Sequence, residues 1–246
     1  INPWQFSPLR CSEFSGYRIA LKPMQHSLFE PQKSSSDHSA HSAQEKWPTF
    51  QNNMKLPIHR WYRYSAGYSA EWVGSELAHE KPSAVILDPF AGSGTTLIKC
   101  QELGFQSFGI EAHPFVHTIA QGKLMWIMDP QECRKTAQEV IKTARKYLEK
   151  GLTIDDDLPP LLIRCYSNEN LLSLMALKAA CLDLDESTMK QWIKLALTSI
   201  LRVTSTAGTA PWQYVLPNRS KAKVTEAFTA FHQQTEMMCI DMITSK

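Results

Sequence analysis

The sequence has no Cys-x-x-Cys pair, no long apolar run and no marked excess of charge of either sign. Its six cysteines are scattered, which disfavours a disulfide framework or a zinc site and favours reduced thiols in a core. No apolar run approaches the ~18 residues that span a bilayer, and the first residues show no secretory leader pattern. These absences predict a cytoplasmic protein without a membrane partner.

Charge is nearly balanced, with 26 basic and 24 acidic residues and a net charge of +2. The field of the whole molecule therefore neither requires a nucleic-acid partner nor excludes one that meets a locally basic surface. A hydrophobic content of 43% is ordinary for a globular protein with a core. The chain begins with Ile1 rather than methionine, so we expect a processed or incomplete piece of a longer one.

An N-terminal arm, residues 1–56, contains a serine-rich polar segment over 31–46 that predicts a linker. His38 and His41 lie close together in this linker, as metal ligands sometimes do. No cluster of carboxylates or thiols accompanies them in the sequence, so we interpret both as solvated loop histidines and predict no metal site.

The next part, residues 57–128, has the pattern of a strand–helix–strand unit. A short apolar run at 84–87, followed by a glycine-rich turn, predicts a parallel strand buried on both faces. Residues 95–103 have helical spacing, and residues 106–110 alternate as a second strand that leads into Glu111. We therefore predict an α/β cofactor-binding part here.

Beyond this part the pattern is helical, and residues 129–246 predict a helical region. The expected helices cover 115–126, 130–150, 168–184, 186–204 and 224–242.

Nine residues between the first strand and the following helix form the glycine-rich turn: Asp88, Pro89, Phe90, Ala91, Gly92, Ser93, Gly94, Thr95 and Thr96. An open parallel sheet binds its ligand at this place, beyond the carboxyl end of the strand. Gly92 and Gly94 permit positive φ angles and a close approach of the backbone, and free amides at the helix start can bind a negative group. The Walker loop and the dinucleotide fingerprint are both absent from the sequence.

Glu111 follows the second strand at the edge of the same crevice, and the predicted site includes Ala112 beside it. A carboxylate there can accept hydrogen bonds from both hydroxyls of a ribose, which predicts a nucleoside ligand. The alternative interpretation of Glu111 is a solvated residue at the end of the strand. His113 is interpreted as shaping the turn before Pro114.

The run from Leu87 to Leu97, followed by the run from Gly109 to Pro114, resembles the first two motifs of DNA methyltransferases that methylate adenine N6 or cytosine N4. The resemblance implies an α/β fold with a Rossmann-like sheet that binds S-adenosylmethionine, of which this chain could hold a part. The largely helical C-terminal region is predicted by the helical spacing described above. The resemblance also implies that the glycine turn holds the methionine portion and Glu111 the ribose. Asp88 would approach the amino group of the cofactor, and Phe90 would line its pocket.

The run from His59 to Val73 resembles the motif that precedes the glycine turn in one permuted class of these enzymes. Ser69 is a predicted helix N-cap, and the helix start behind it would receive the carboxylate of the cofactor through free amides. For Trp61 and Trp72 an alternative stays open, namely packing in the core.

The residues that perform catalysis in this family are missing. The family uses an Asp, Asn or Ser, then Pro-Pro, then an aromatic residue, on a base rotated out of the stack. The one Pro-Pro pair, Pro159-Pro160, has leucine on both sides, so no catalytic residue is identified in this chain. The run from Asp241 to Ser245 resembles the residues before Pro-Pro only faintly and is predicted to end a helix.

Two hypotheses follow from this absence. In the favoured one, a second polypeptide or downstream sequence carries the catalytic motif, and this chain supplies the cofactor site for methylation of DNA in a prokaryotic restriction–modification system. In the other, the chain is a catalytically silent subunit that binds cofactor or DNA and regulates a partner. A similar glycine turn also leaves open transfer to the N2 amino group of guanine in RNA.

Arg219, Lys221 and Lys223 lie near Trp212 and Tyr214, in a stretch that resembles an insertion found in some relatives. Positive charge beside aromatic faces suits a phosphate backbone or an unstacked base, so the three basic residues are candidates for DNA contact. The alternative is a solvated basic loop.

Overall fold

The computed structural model describes residues 50–154, 158–208, 221 and 223–245. Most of the predicted N-terminal arm, including the linker and its two histidines, lies outside these residues, as do Trp212, Tyr214 and Arg219. The described strands are β1 (Val85–Asp88) and β2 (Gln106–Gly109), and the helices are α1 (Ala70–Leu77), α2 (Thr95–Leu103), α3 (Pro114–Leu124), α4 (Pro130–Glu149), α5 (Pro160–Cys165), α6 (Asn168–Leu182), α7 (Thr188–Thr204) and α8 (Ala227–Thr244). Short 3₁₀ turns lie at Asn52–Lys55, His59–Trp61 and Met125–Ile127.

The predicted strand–helix–strand unit is present, with bounds close to those expected. β1 and β2 pair in parallel, with Val85 opposite Gln106 and Asp88 opposite Gly109. The nine residues of α2 connect them. Because parallel strands end on the same side, the glycine turn after β1 and Glu111 after β2 meet at one edge of the sheet.

One face of this sheet packs against helices. Ile86 and Ala84 lie against a buried cluster contributed mainly by α1 and α2: Val73, Leu77, Cys100 and Phe105. On the opposite face Val85 is 57% exposed, Leu87 60% and Phe108 48%. The expectation of a first strand buried on both faces is therefore wrong for the part of the chain that the structure describes, because α1 and α2 cover only one side. The fold is mixed α/β, mostly helical, with a parallel pair of strands among the described residues.

The helices of the C-terminal region pack against one another as a bundle, which contacts the strand–helix–strand part through α3. α4 contacts α6 and α8, and α7 contacts α3 and α8. Side chains that accept a bond from a first-turn amide cap four of these helices: Asp129 for α4, Ser167 for α6, Ser187 for α7 and Glu226 for α8. A Cβ on Gly122 would lie 2.7 Å from the Cβ of Leu195, so glycine at this position allows α3 and α7 to approach closely.

The Pro-Pro pair and the C-terminal run have helical roles. Pro159 occupies the N-cap position of α5 without a capping hydrogen bond, and Pro160 is the first residue of the helix, a position where the missing amide hydrogen of proline costs nothing. α5 was not predicted, because its six residues are too few for a clear period. Asp241 lies in the last turns of α8, which confirms that this run ends a helix.

Burial agrees with part of the predicted core. Trp61 is 1% exposed, whereas Trp72 is 47% exposed, so core packing holds for the first tryptophan and is wrong for the second. Four of the five described cysteines are buried. Across the described ranges, no helix has both the length and the apolar character needed to cross a membrane.

Candidate cofactor-binding site

A cavity of about 300 Å³ lies at the carboxyl end of β1. Its walls come from the glycine turn, from Glu111 and from the segment that precedes α1: Tyr64, Ala66, Gly67, Tyr68, Phe90, Ala91, Gly92, Ser93, Thr95 and Glu111. Three separate parts of the sequence therefore meet around one space. Its position beyond a strand end is where open α/β sheets bind their ligands.

Both glycines of the turn adopt positive φ angles, +53° at Gly92 and +85° at Gly94. A Cβ on Gly92 would lie 3.1 Å from Cε1 of Tyr64, and one on Gly94 would lie 3.3 Å from the Cβ of Ala120. Any other residue would therefore meet both backbone strain and crowding at these positions. The turn is tied to the residue that follows β2 by a hydrogen bond from the Ala91 amide to the carbonyl oxygen of Ile110, at 2.9 Å.

The start of α2 faces the same region. Its N-cap is Gly94, which has no side chain, so no side chain caps the first amides of this helix. Ser93 and Thr95 flank this helix start, and both contribute to the cavity wall. Amides at a helix start, together with the helix dipole, favour a negatively charged group.

The Glu111 carboxylate holds the turn from the other side. Its Oε2 accepts from the Gly92 amide at 2.9 Å, and its Oε1 accepts from the His113 amide at 2.7 Å. Glu111 is partly exposed, and each carboxylate oxygen has a second lone pair beyond these bonds. Glu111 is thus not only a solvated strand end, the alternative that the sequence left open. Its carboxylate is bonded to the glycine turn and can still accept hydrogen bonds from further donors.

Asp88 lies behind the cavity in a buried hydrogen-bond network. It is 7% exposed, and its Oδ1 accepts from the Phe90 amide at 3.0 Å. Its Oδ2 accepts from the Tyr68 hydroxyl at 2.7 Å, and Tyr68 also lies 2.5 Å from Oγ1 of Thr96. Since a carboxylate can only accept, Tyr68 donates to Asp88 and Thr96 donates to Tyr68.

Burial is the main cause that raises the pKa of Tyr68 to about 12, with the Asp88 carboxylate adding to the rise and the Thr96 hydroxyl opposing it. The phenol therefore stays protonated near neutral pH and remains a donor. This network links the glycine turn to the segment before α1.

Ser69 is the N-cap of α1, as predicted, and its side chain accepts from the Trp72 amide at 3.3 Å. A second amide of the same helix start, that of Ala70, donates to Oδ1 of Asn53 at 2.9 Å. Two of the amides behind Ser69 thus have protein acceptors, and Ser69 itself is 5% exposed. Ser69 is not a wall residue of the cavity but directly follows Tyr68, which is one. With these two amides occupied, the start of α1 offers fewer free donors to a carboxylate than the sequence predicts.

Of the twelve residues predicted from sequence to bind the cofactor, six line the cavity: Phe90, Ala91, Gly92, Ser93, Thr95 and Glu111. Ser69 and Asp88 are not wall residues. Pro89, Gly94, Thr96 and Ala112 are adjacent in the chain to wall residues without being wall residues themselves. Sequence reasoning missed Tyr64, Ala66, Gly67 and Tyr68, although they lie inside the run from His59 to Val73 that resembles the upstream family motif. Their signal was a cluster of aromatic and small residues, and nothing local in it shows which side chains face a cavity.

Of the basic residues suggested for DNA contact, the described part of the chain includes Lys221 and Lys223. The Lys221 ammonium donates to the carbonyl oxygen of Arg202 at the end of α7, and burial lowers its pKa. Lys223 is exposed. Contact with DNA stays a prediction for both.

Comparison with known proteins gives a family match for the segment that contains the glycine turn and Glu111. Residues 77–122 match a family model described as DNA methylase. The Type II methyltransferase M.AvaI of Nostoc sp. is 31% identical over 165 residues, which cover 59% of this chain and 34% of that protein. M.BsoBI of Geobacillus stearothermophilus is 39% identical over 80 residues, covering 32% of the chain and 16% of that protein. M.MjaII of Methanocaldococcus jannaschii is 31% identical over 117 residues, covering 47% and 22%.

The matched part of the chain thus spans about a third or less of the length of these relatives. No solved structure matches the chain.

Proposed function

Through residues 77–122 the chain belongs to the amino-methylating DNA methyltransferase family, and on that premise we propose that its cavity is the S-adenosylmethionine site of a DNA methyltransferase. The observation that carries the proposal is the bond between the Glu111 carboxylate and the Gly92 amide. It joins the residue expected to bind a ribose to the turn expected to bind the rest of the cofactor. The sheet would then be the start of a larger Rossmann-like sheet.

The residues around the cavity fit the chemical groups of S-adenosylmethionine. The free lone pairs of Glu111 suit ribose hydroxyls, and the uncapped start of α2 suits the carboxylate of the methionine portion. Asp88 and Glu111 together place negative charge near a ligand that carries a sulfonium and an ammonium group. Phe90, which is 84% exposed, offers an apolar surface to the adenine ring. A cavity of about 300 Å³ is at the lower end of the range for small-molecule sites.

Transfer to adenine N6 or cytosine N4 is the reaction we propose for the complete enzyme. The bound cofactor supplies the methyl group. The residues of this chain would bind it, fix its orientation through Glu111 and the glycine turn, and exclude water from it with Tyr64 and Phe90. The proton acceptor and the aromatic face for a base rotated out of the duplex would come from elsewhere.

We propose that the catalytic motif lies in a partner chain or in downstream sequence. The sheet face that the described residues leave open supports this, because Val85, Leu87 and Phe108 present apolar area there that a further layer of structure would bury. The described pair of strands also leaves both outer edges of the sheet without a strand partner. Lys221 and Lys223 stay candidates for DNA contact, together with Arg219.

Titration calorimetry with S-adenosylmethionine tests the cofactor site. We expect the parent chain to bind and the Kd of Glu111→Ala to rise about tenfold or more, since a hydrogen bond to a charged group is worth about 1.5–3 kcal/mol. The matched control, Glu139→Ala, removes an exposed carboxylate from α4 and should bind like the parent. No binding by the parent, or equal binding by Glu111→Ala, would contradict the proposed site.

Transfer of labelled methyl groups by the native complex tests the reaction. We expect labelling of duplex DNA, and an acceptor–Pro–Pro–aromatic sequence in a co-purifying chain or in downstream sequence. Labelling of transfer RNA in place of DNA would favour the guanine N2 reaction. Cofactor binding without transfer, and without such a motif in any chain of the complex, would favour the silent subunit.

A further inference from the structure

Asp241 is a buried carboxylate that does not line the cavity and that the proposed function does not use. It lies in α8, is 1% exposed and accepts four hydrogen bonds. Its Oδ2 accepts from the Ile58 amide at 3.3 Å, from Nε of Arg60 at 3.0 Å and from Nε1 of Trp61 at 3.0 Å. Its Oδ1 accepts from Nη2 of Arg60 at 2.5 Å. The three residues that donate these bonds, Ile58, Arg60 and Trp61, belong to one short stretch of chain, the 3₁₀ turn at His59–Trp61 and the residue before it.

This turn has a backbone conformation that needs support. Ile58 has a φ of 62°, and among the described residues it is the non-glycine residue with a positive φ. A β-branched residue in that region is strained by about 1–3 kcal/mol and stays there only when its surroundings hold it. Ile58 is fully buried, and its amide donates to Asp241.

α8 holds the turn at two points. Gln234, about two helical turns before Asp241, donates from Nε2 to the carbonyl oxygen of Trp61 at 3.0 Å. Two residues on one face of α8 therefore contact the same turn. From α3, the Lys123 ammonium donates to the carbonyl oxygens of His59 at 2.9 Å and Tyr62 at 3.4 Å.

The chain leaves this turn and immediately forms a wall of the cavity. Tyr64 and Tyr68 follow Trp61 by a few residues, and both line the cavity. Tyr64 lies against Gly92, and Tyr68 donates to Asp88. One short segment of chain thus connects the turn that α8 holds to the residues that line the cavity.

We propose that Asp241 is a positioning residue for this site, which sets the aromatic wall at residues 62–68 by fixing the turn before it. The inference rests on the proposed function, in that the cavity is taken to bind S-adenosylmethionine. Asp241 acts through the turn and not on the ligand, since both of its oxygens are occupied and it is buried away from the cavity. The C-terminal helix would thereby position one wall of the cofactor site without contacting the ligand.

The variant Asp241→Asn tests the proposal, because it keeps the shape of the side chain. It replaces one carboxylate oxygen, which accepts hydrogen bonds from Arg60 and Trp61, with an amide NH₂ group that can only donate. We expect its Kd for S-adenosylmethionine to rise by about 2- to 30-fold, the range seen when residues couple to a site without touching the ligand. Amide hydrogen exchange over residues 62–68, measured without ligand, should become faster in this variant.

Two controls separate positioning from lost stability. Glu236→Gln, on the same helix, breaks the ion pair with Arg134 at 2.9 Å and should leave both the Kd and the exchange of residues 62–68 unchanged. Val140→Ala makes a cavity in α4 and should lower the free energy of unfolding without raising the Kd. If Asp241→Asn does not fold, Gln234→Ala removes the other contact of α8 with the turn and should show the same two changes to a smaller degree.

The outcomes distinguish the two proposals. If the parent binds S-adenosylmethionine and Asp241→Asn binds equally well with unchanged exchange, the positioning role is overturned and the cofactor site stands. If the parent does not bind but exchange over residues 62–68 rises in Asp241→Asn alone, the coupling stands and the cofactor proposal fails. Equal effects of Asp241→Asn and Val140→Ala on both measurements would also overturn the positioning role.

Discussion

At the scale of single residues, Gly92 combines two requirements that are separable by experiment. Its φ of +53° strains any residue with a side chain, and a Cβ there would meet the ring of Tyr64. Gly104, at the end of α2, has a φ of +79° and no atom within 4 Å of where a Cβ would lie. We expect Gly104→Ala to lower the free energy of unfolding by about 1–2 kcal/mol through strain alone. Gly92→Ala should lower it by more and also raise the Kd for S-adenosylmethionine, because Tyr64 must move.

Urea unfolding and titration calorimetry on both variants measure these two effects. Comparing Gly92→Ala with Gly104→Ala cancels the effect of backbone strain, since both glycines occupy the left-handed region. Equal Kd values for the two variants would mean that the approach of Tyr64 to Gly92 does not shape the site.

At the scale of elements, two helices have nearly identical caps in different places. Oγ of Ser69 accepts from the Trp72 amide at 3.3 Å at the start of α1, and Oγ of Ser187 accepts from the Lys190 amide at 3.3 Å at the start of α7. Replacing either serine by alanine should lower the free energy of unfolding by about 1 kcal/mol. We expect Ser69→Ala alone to weaken S-adenosylmethionine binding, because α1 follows directly from the wall residue Tyr68.

Denaturant titration gives the stability of each cap variant, and calorimetry gives its affinity. Ser187→Ala is the control for a lost cap far along the chain from the cavity. A Ser69→Ala chain that binds as tightly as Ser187→Ala would remove Ser69 and the start of α1 from the proposed site.

At the scale of the whole molecule, buried basic groups should make stability depend on pH. Burial, aided by the charges of Lys123 and Lys99, lowers the pKa of His59 from 6.5 to about 3, so His59 is neutral when folded and forms no ion pair with Glu102, 3.8 Å away. Between these two pKa values the unfolded chain binds a proton that the folded chain does not. The free energy of unfolding should therefore be highest above pH 6.5 with respect to this group, and should fall as pH drops toward 3.

Urea unfolding at a series of pH values from 3 to 8 measures this dependence. We expect His59→Leu to flatten it between pH 6.5 and 3, since the titrating group is gone. His79→Leu, which replaces an exposed histidine, should keep the slope of the parent. A slope equally steep in His59→Leu would assign the acid sensitivity to other groups.

Lys123 adds a second pH dependence. Burial lowers the pKa of Lys123 to about 7, so the free energy of unfolding should rise with respect to this group as pH increases above that value.

The sequence by itself determined the unit from β1 through Glu111. Each of its signals is local: an apolar run for the strand, helical spacing for α2, and glycines where the backbone must take a positive φ. The same local patterns predicted the order of the helices that follow and the cap at Ser69. They also led to the family of residues 77–122, because that motif is contiguous in the chain.

Only the tertiary structure decided which residues complete the site and what remains uncovered. Tyr64 and Tyr68 enter the cavity wall, and Asp241 reaches Arg60 from 181 residues away, through packing that no local pattern encodes. The open sheet face is also a tertiary result: an apolar run such as Val85–Leu87 looks the same in sequence whether one face is covered or both. Whether such a strand is buried depends on which elements pack against it, and that is settled by the whole assembly of helices and not by the strand.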